Sequence, residues 1–103
     1  MIARAWKASA TPEGARRYAE HFDGAVLPEL RRQGGCRAAY LLTRESGELV
    51  EIQVITHWES LETIRAFAGD DLDHAVVEPA ARAVLTDFER TVAHFTVTEG
   101  EVA

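Results

Sequence analysis

The first residues alternate weakly between polar and apolar, and "IARAWKASA" over 2–10 predicts an opening strand. "TPEG" then supplies a helix start, with Thr11 as N-cap and Pro12 at the first helical position. Tyr18, Ala19, Phe22, Ala25, Val26 and Leu30 recur at helical spacing, so the helix runs to about Gln33, where Gly34 and Gly35 stop it. Gly24 and Pro28 interrupt that run and predict a kink or a second short segment. "CRAAYLLTR" (36–44) and "LVEIQVITHW" (49–58) read as two strands joined through "ESGE" into a hairpin. A helix over 60–68, an Asp-rich loop and a helical stretch around 79–86 follow. "FERTVAHFTVTE" closes the chain as a fourth strand.

The order βαββαβ predicts an α+β, ferredoxin-like subunit: a four-stranded antiparallel sheet with helices on one face. A length of 103 residues fits one domain, 1–103. Strand alternation sorts the side chains. Val50, Ile52, Val54, Thr56 and Trp58 share the helix-covered face of the third strand, and Gln53, Ile55 and His57 share the other. The same alternation assigns Arg4, Trp6, Tyr40 and His94 to the covered face. It assigns Arg37, Ala39, Leu41, Phe95 and Val97 to the open one. An open face this apolar predicts contact with another protein surface, most economically a second copy of the chain, sheet against sheet.

Charge narrows the partners. A formal net charge of −6 argues against a nucleic-acid surface, and the arginine pairs at 16–17 and 31–32 lie among Glu13, Glu20 and Glu29 as a solvated helix face. No run approaches the roughly 18 apolar residues of a membrane span, and "MIARAWK" lacks the apolar core of a signal peptide. Cys36 is the only cysteine, so no intrachain disulfide forms, and the expected location is the cytoplasm. The four histidines and one cysteine have no zinc spacing, and Pro79 disfavours a shared helix face for His74 and Glu78. Neither a metal nor a nucleotide cofactor is expected, since no glycine-rich phosphate loop appears.

"MIARAWKA", "VLPEL", "HWESLETIRAFAG" and "AVVEPAARAVL" together resemble the antibiotic biosynthesis monooxygenase superfamily, over nearly the whole chain. The resemblance implies a dimeric α+β barrel, with a pocket in each subunit between sheet and helices. The implied activity is a cofactor-independent monooxygenation of a phenol, quinol or anthrone-type substrate, aromatic or polycyclic. A non-catalytic or stress-responsive protein binding a small hydrophobic ligand, and a cyclase or isomerase using the same pocket, are the alternatives. Haem-degrading relatives imply an Asn on the first strand, where this chain has Arg4 and Trp6, so that activity is the less expected one.

Such an oxidation needs a base near neutral pH, a dry aromatic pocket and a group that steadies an anion. The base is His74 or His94, with His74 favoured because it lies on a loop. Arg4 holds the anion or pairs with a helix carboxylate, and Trp6, Tyr40, Thr56, Trp58 and Phe22 are the candidate substrate contacts. Trp58 reads equally as a core plug at the strand-to-helix corner. His57 belongs to the open face, and His21, beside Phe22, either edges into the pocket or, as the favoured reading, faces solvent.

Overall fold

The computed structural model describes residues 1–103. Strand β1 (Ile2–Ala10) leads through Thr11 into helix α1 (Pro12–His21). The Thr11 hydroxyl accepts the Gly14 N–H at 3.0 Å, as an N-cap does. Gly14 has no substitute, because an added Cβ would meet the Val84 carbonyl at 2.3 Å.

The predicted kink is a π-helical turn, Phe22–Val26, followed by helix α2 (Leu27–Arg32). Pro28 has no N–H to return to the Gly24 carbonyl, and the helix widens just before it, with the Leu27 N–H bonded back to Phe22 O. Strands β2 (Cys36–Ser46) and β3 (Leu49–Trp58) form the hairpin. Its turn depends on Gly47, whose φ of 63° suits a mirror-image hairpin turn. Helix α3 (Leu61–Ala68) starts on a capping box of Ser60 and Thr63. Helix α4 (Pro79–Arg82) is a single turn, shorter than the stretch to 86 that the sequence suggests.

The last strand is two strands, β4 (Asp87–Phe88) and β5 (Ala93–Thr96), both antiparallel to β1. After the Glu89 N–H bond to Lys7 O, the chain leaves the ladder over 90–92 to meet the loop before α4. There Ala75 N–H donates to Arg90 O at 2.9 Å and Val92 N–H to Asp73 O at 2.8 Å. The sheet order is β2-β3-β1-β4, with β5 also on β1, which is the antiparallel ferredoxin-like arrangement. No helix is long and apolar enough to cross a membrane.

Register confirms most face assignments and reverses one set. Arg4 lies opposite Thr56 and His94, and Trp6 opposite Val54, all on the helix-covered face. Ala3, Ala5, Ile55, His57 and Phe95 lie on the open one. On β2, however, a bulge between Cys36 and Ala38 inserts Arg37, and every later side chain changes face. Tyr40 therefore pairs with Ile55 and stands 52% exposed on the open sheet, while Leu41 pairs with Val54 and packs into the core. Tyr40 is no substrate contact of the covered face; its ring meets His57 edge-on at 5.8 Å.

Two apolar clusters fill the space between sheet and helices. The larger holds Trp6, Ala8, Tyr18, Phe22 and Ile52, and the smaller holds Leu30, Trp58 and Ile64. On the outer face of α1, Arg16 pairs with Glu13 and Glu20, all three exposed.

Candidate functional site

A cavity of about 80 Å³ lies beside the larger cluster. Its floor is the covered sheet face, Arg4, Trp6, Val54 and Thr56; one wall is Tyr18, His21, Val26 and Leu30 from the helices. Phe67 of α3 and Val92 add to the lining, and residues 75–78 with Ala81 form the roof. The polar groups that reach it are few: Arg4, Thr56, Tyr18, His21 and Glu78.

Arg4 organises this site. It is only 6% exposed, an unusual place for a guanidinium, and its partners are all neutral. Nη1 donates to Leu72 O at 2.6 Å and Nη2 to His74 O at 2.9 Å, so one side chain ties the roof loop to the sheet. Nη1 also lies 2.9 Å from His94 Nε2. A guanidinium only donates, so His94 Nε2 is the acceptor and the ring proton sits on Nδ1, facing Asp73 Oδ1 at 3.4 Å. Burial, then the Arg4 charge, hold His94 below the usual histidine range, against the opposing pull of Asp73. Burial likewise lowers the Arg4 pKa, with Asp73 opposing.

This geometry separates the three candidate histidines. His94 is packed behind Arg4, its acceptor nitrogen already in use, and it does not line the cavity. His74 contributes its backbone carbonyl to Arg4 while the residue is exposed and outside the lining. The histidine that does line the cavity is His21, half-buried at the end of α1, with its ring 6.0 Å from that of Tyr18. Its place three residues after Tyr18 puts both rings on the same side of α1.

The aromatic residues divide as sharply. Trp6 borders the cavity, with its indole N–H on Glu89 O at 2.6 Å. Trp58 is 0% exposed, donates to Thr56 Oγ1 at 2.8 Å and stacks on Phe67 at 5.4 Å; it is a plug, not a substrate contact. Phe22 is buried against Tyr18 at 6.5 Å and also stops short of the cavity. Tyr18 lines the cavity as well. On a sequence it is one more apolar position of an amphipathic helix. Burial first, and Glu78 second, push its hydroxyl up to about 12, so it remains a donor at neutral pH.

No protein-family model matches the sequence, and no curated protein does. Solved structures do match in shape. An antibiotic biosynthesis monooxygenase structure from Bacillus cereus superposes with a TM-score of 0.68 at 14% identity, covering 99% of this chain and 97% of that one. One from Deinococcus radiodurans gives 0.62 at 15%, covering 100% and 98%. A variant of MhuD with two manganese protoporphyrin IX per active site gives 0.63 at 22%, covering all of both chains. At these identities the likeness is one of fold, and it runs end to end. The chain shares the antiparallel, ferredoxin-like α+β fold of these solved structures.

Proposed function

We propose that this chain is a cofactor-independent, monooxygenase-like enzyme acting on an aromatic substrate held between sheet and helices. The observation that carries the reading is Arg4: a buried guanidinium at an apolar cavity, with two carbonyls and a neutral histidine as partners and no carboxylate bridging it. A buried charge left with neutral partners favours an anion beside it. Trp6 supplies the flat apolar wall that a ring needs.

In this reading His21 takes the proton from the phenol or activated ring carbon, and Arg4 steadies the anion. The anion passes one electron to O₂, the radical pair recombines as a hydroperoxide, and loss of water leaves a carbonyl. One O₂ thus yields one inserted oxygen and one water. The volume of about 80 Å³ excludes a polycycle; it is about half that of the roughly 150 Å³ cavity that takes up benzene, so even a single ring extends through the open side of the cavity or displaces the roof loop.

Haem fits this site poorly. The His74 imidazole is outside the cavity, Arg4 and Trp6 occupy the strand where an Asn was implied, and the volume is far below the roughly 300–1,000 Å³ of larger ligand pockets. A non-catalytic protein binding the same small aromatic ligand is the second reading, favoured by how little base chemistry the cavity holds. Oxygen uptake with a panel of monocyclic phenols and quinols separates the two. Uptake by wild type that falls about 10²-fold or more in His21→Ala supports the enzyme. Binding without any uptake supports the ligand-binding protein.

The open sheet face belongs to the same proposal, as the interface of a homodimer. Leu42 and Phe95, 45% and 59% exposed, stand there with Tyr40 and Ile55. Ile55→Asp turns a dimer into a monomer in sedimentation at micromolar concentration; a monomeric wild type removes the interface.

A further inference from the structure

We propose that the Tyr18 hydroxyl is a ligand-recognition group, and that the cavity selects a one-ring aromatic carboxylate carrying a second oxygen on the ring. This rests on the preceding reading only in requiring a small aromatic ligand, with or without catalysis.

Tyr18 is 5% exposed, yet its hydroxyl has no hydrogen-bond partner within the protein. No buried side-chain nitrogen or oxygen is left without a partner, so the hydroxyl opens onto the cavity that Tyr18 lines. A phenylalanine would fill the same volume between Trp6 and Phe22 without bringing a polar atom into an apolar wall. Its presence is explained by an acceptor that arrives with the ligand.

Arg4 Nε is in the same position: the protein's own acceptors take only Nη1 and Nη2. Thr56, across the strand pair from Arg4, already accepts the Trp58 indole N–H and keeps its own O–H to donate. The cavity therefore presents donors from two sides. Arg4 and Thr56 lie on the sheet. Tyr18 lies on the helix over Trp6, which is two residues and roughly 7 Å further along the same strand face. A ligand with an acceptor at each end meets both sides.

The charge of Arg4 assigns the ionised end. Glu78 opposes an anion from the roof, but it is exposed and screened, whereas Arg4 is not. A carboxylate is the aromatic anion that stays ionised across neutral pH.

Titration calorimetry at pH 7 tests this with benzoate, benzyl alcohol, the three hydroxybenzoates and the three methylbenzoates, on wild type and Tyr18→Phe. Benzoate is expected to bind at least tenfold tighter than benzyl alcohol. At least one hydroxybenzoate should bind about tenfold tighter than its methyl counterpart. Tyr18→Phe should erase the second preference, keep the first, and leave the melting temperature equal or higher. The inference is overturned if none of the acids binds, if methyl isomers bind as well as hydroxyl ones, or if Tyr18→Phe lowers the melting temperature while the preference survives. Failure of the oxygenase reading shows separately, as absent oxygen uptake with this binding pattern intact.

Discussion

Trp6 and Trp58 stand on the same face of neighbouring strands, and their surroundings differ in what lies above them. Over Trp58 sits α3, a regular helix held by its capping box and pressed close enough to the turn between α2 and β2 that a Cβ on Gly35 would strike the Thr63 side chain. The Trp58 N–H is satisfied two residues away on its own strand, and Leu30, Ile64 and Phe67 complete the packing. Over Trp6 lie Tyr18 of α1 and, beside it, the loop before α4, without regular structure and tied to the sheet by Arg4. The Trp6 N–H is satisfied only because β4 and β5 part and leave the Glu89 carbonyl free for it. Helices close-pack over a sheet; a loop held by polar ties leaves space. The cavity lies on the loop side.

Substitution tests that contrast directly. Trp58→Ala should cost about 3–5 kcal/mol in chemical denaturation, the usual range for emptying a large aromatic site, with an effect on aromatic-ligand affinity only through Thr56 and Phe67, which it holds. A loss below about 1 kcal/mol would mean that Trp58 has free space around it, as Trp6 does. Trp6→Phe should cost less, about 1–3 kcal/mol for leaving the Glu89 carbonyl unpaired, and should weaken aromatic-ligand binding measurably. Unaltered binding in that variant would remove Trp6 from the cavity wall.

The smallest effect is a pH dependence confined to the Arg4 side. The folded protein holds His94 neutral, through burial first and the Arg4 charge second, so its pKa is below that of the unfolded chain. Below about pH 6.5 the unfolded chain then binds more protons, and stability falls with pH until His94 itself protonates. Melting temperatures between pH 7.5 and 5 should show this slope, and His94→Gln should flatten it. In Trp58→Ala the slope should persist, because nothing in that cluster titrates there.

Much of this arrangement was readable before the structure. Alternation along β1 and β3 depends only on a strand's period of two, and it correctly set Arg4, Trp6 and Thr56 on the covered face with His57 and Ile55 opposite. The Thr11 and Pro12 start of α1 and the disturbance at Gly24 and Pro28 are equally local, since they follow from one residue's hydrogen-bond capacity or ring. The bulge at Arg37 was not readable: one extra residue exchanges the faces of Tyr40 and Leu41, and nothing in "CRAAYLLTR" marks where it falls. Nor could the sequence separate the imidazole of His74 from its carbonyl, or give His21 rather than His94 access to the cavity. Those outcomes depend on Arg4 reaching across 68 and 70 residues to the Leu72 and His74 carbonyls, and on His94 spending its acceptor nitrogen behind it. The sequence by itself determined the elements, their order and most of their faces, because periodicity and capping act over a few residues. Only the tertiary structure decided which tryptophan is a plug and which borders a cavity, because empty space depends on how distant segments pack above the sheet.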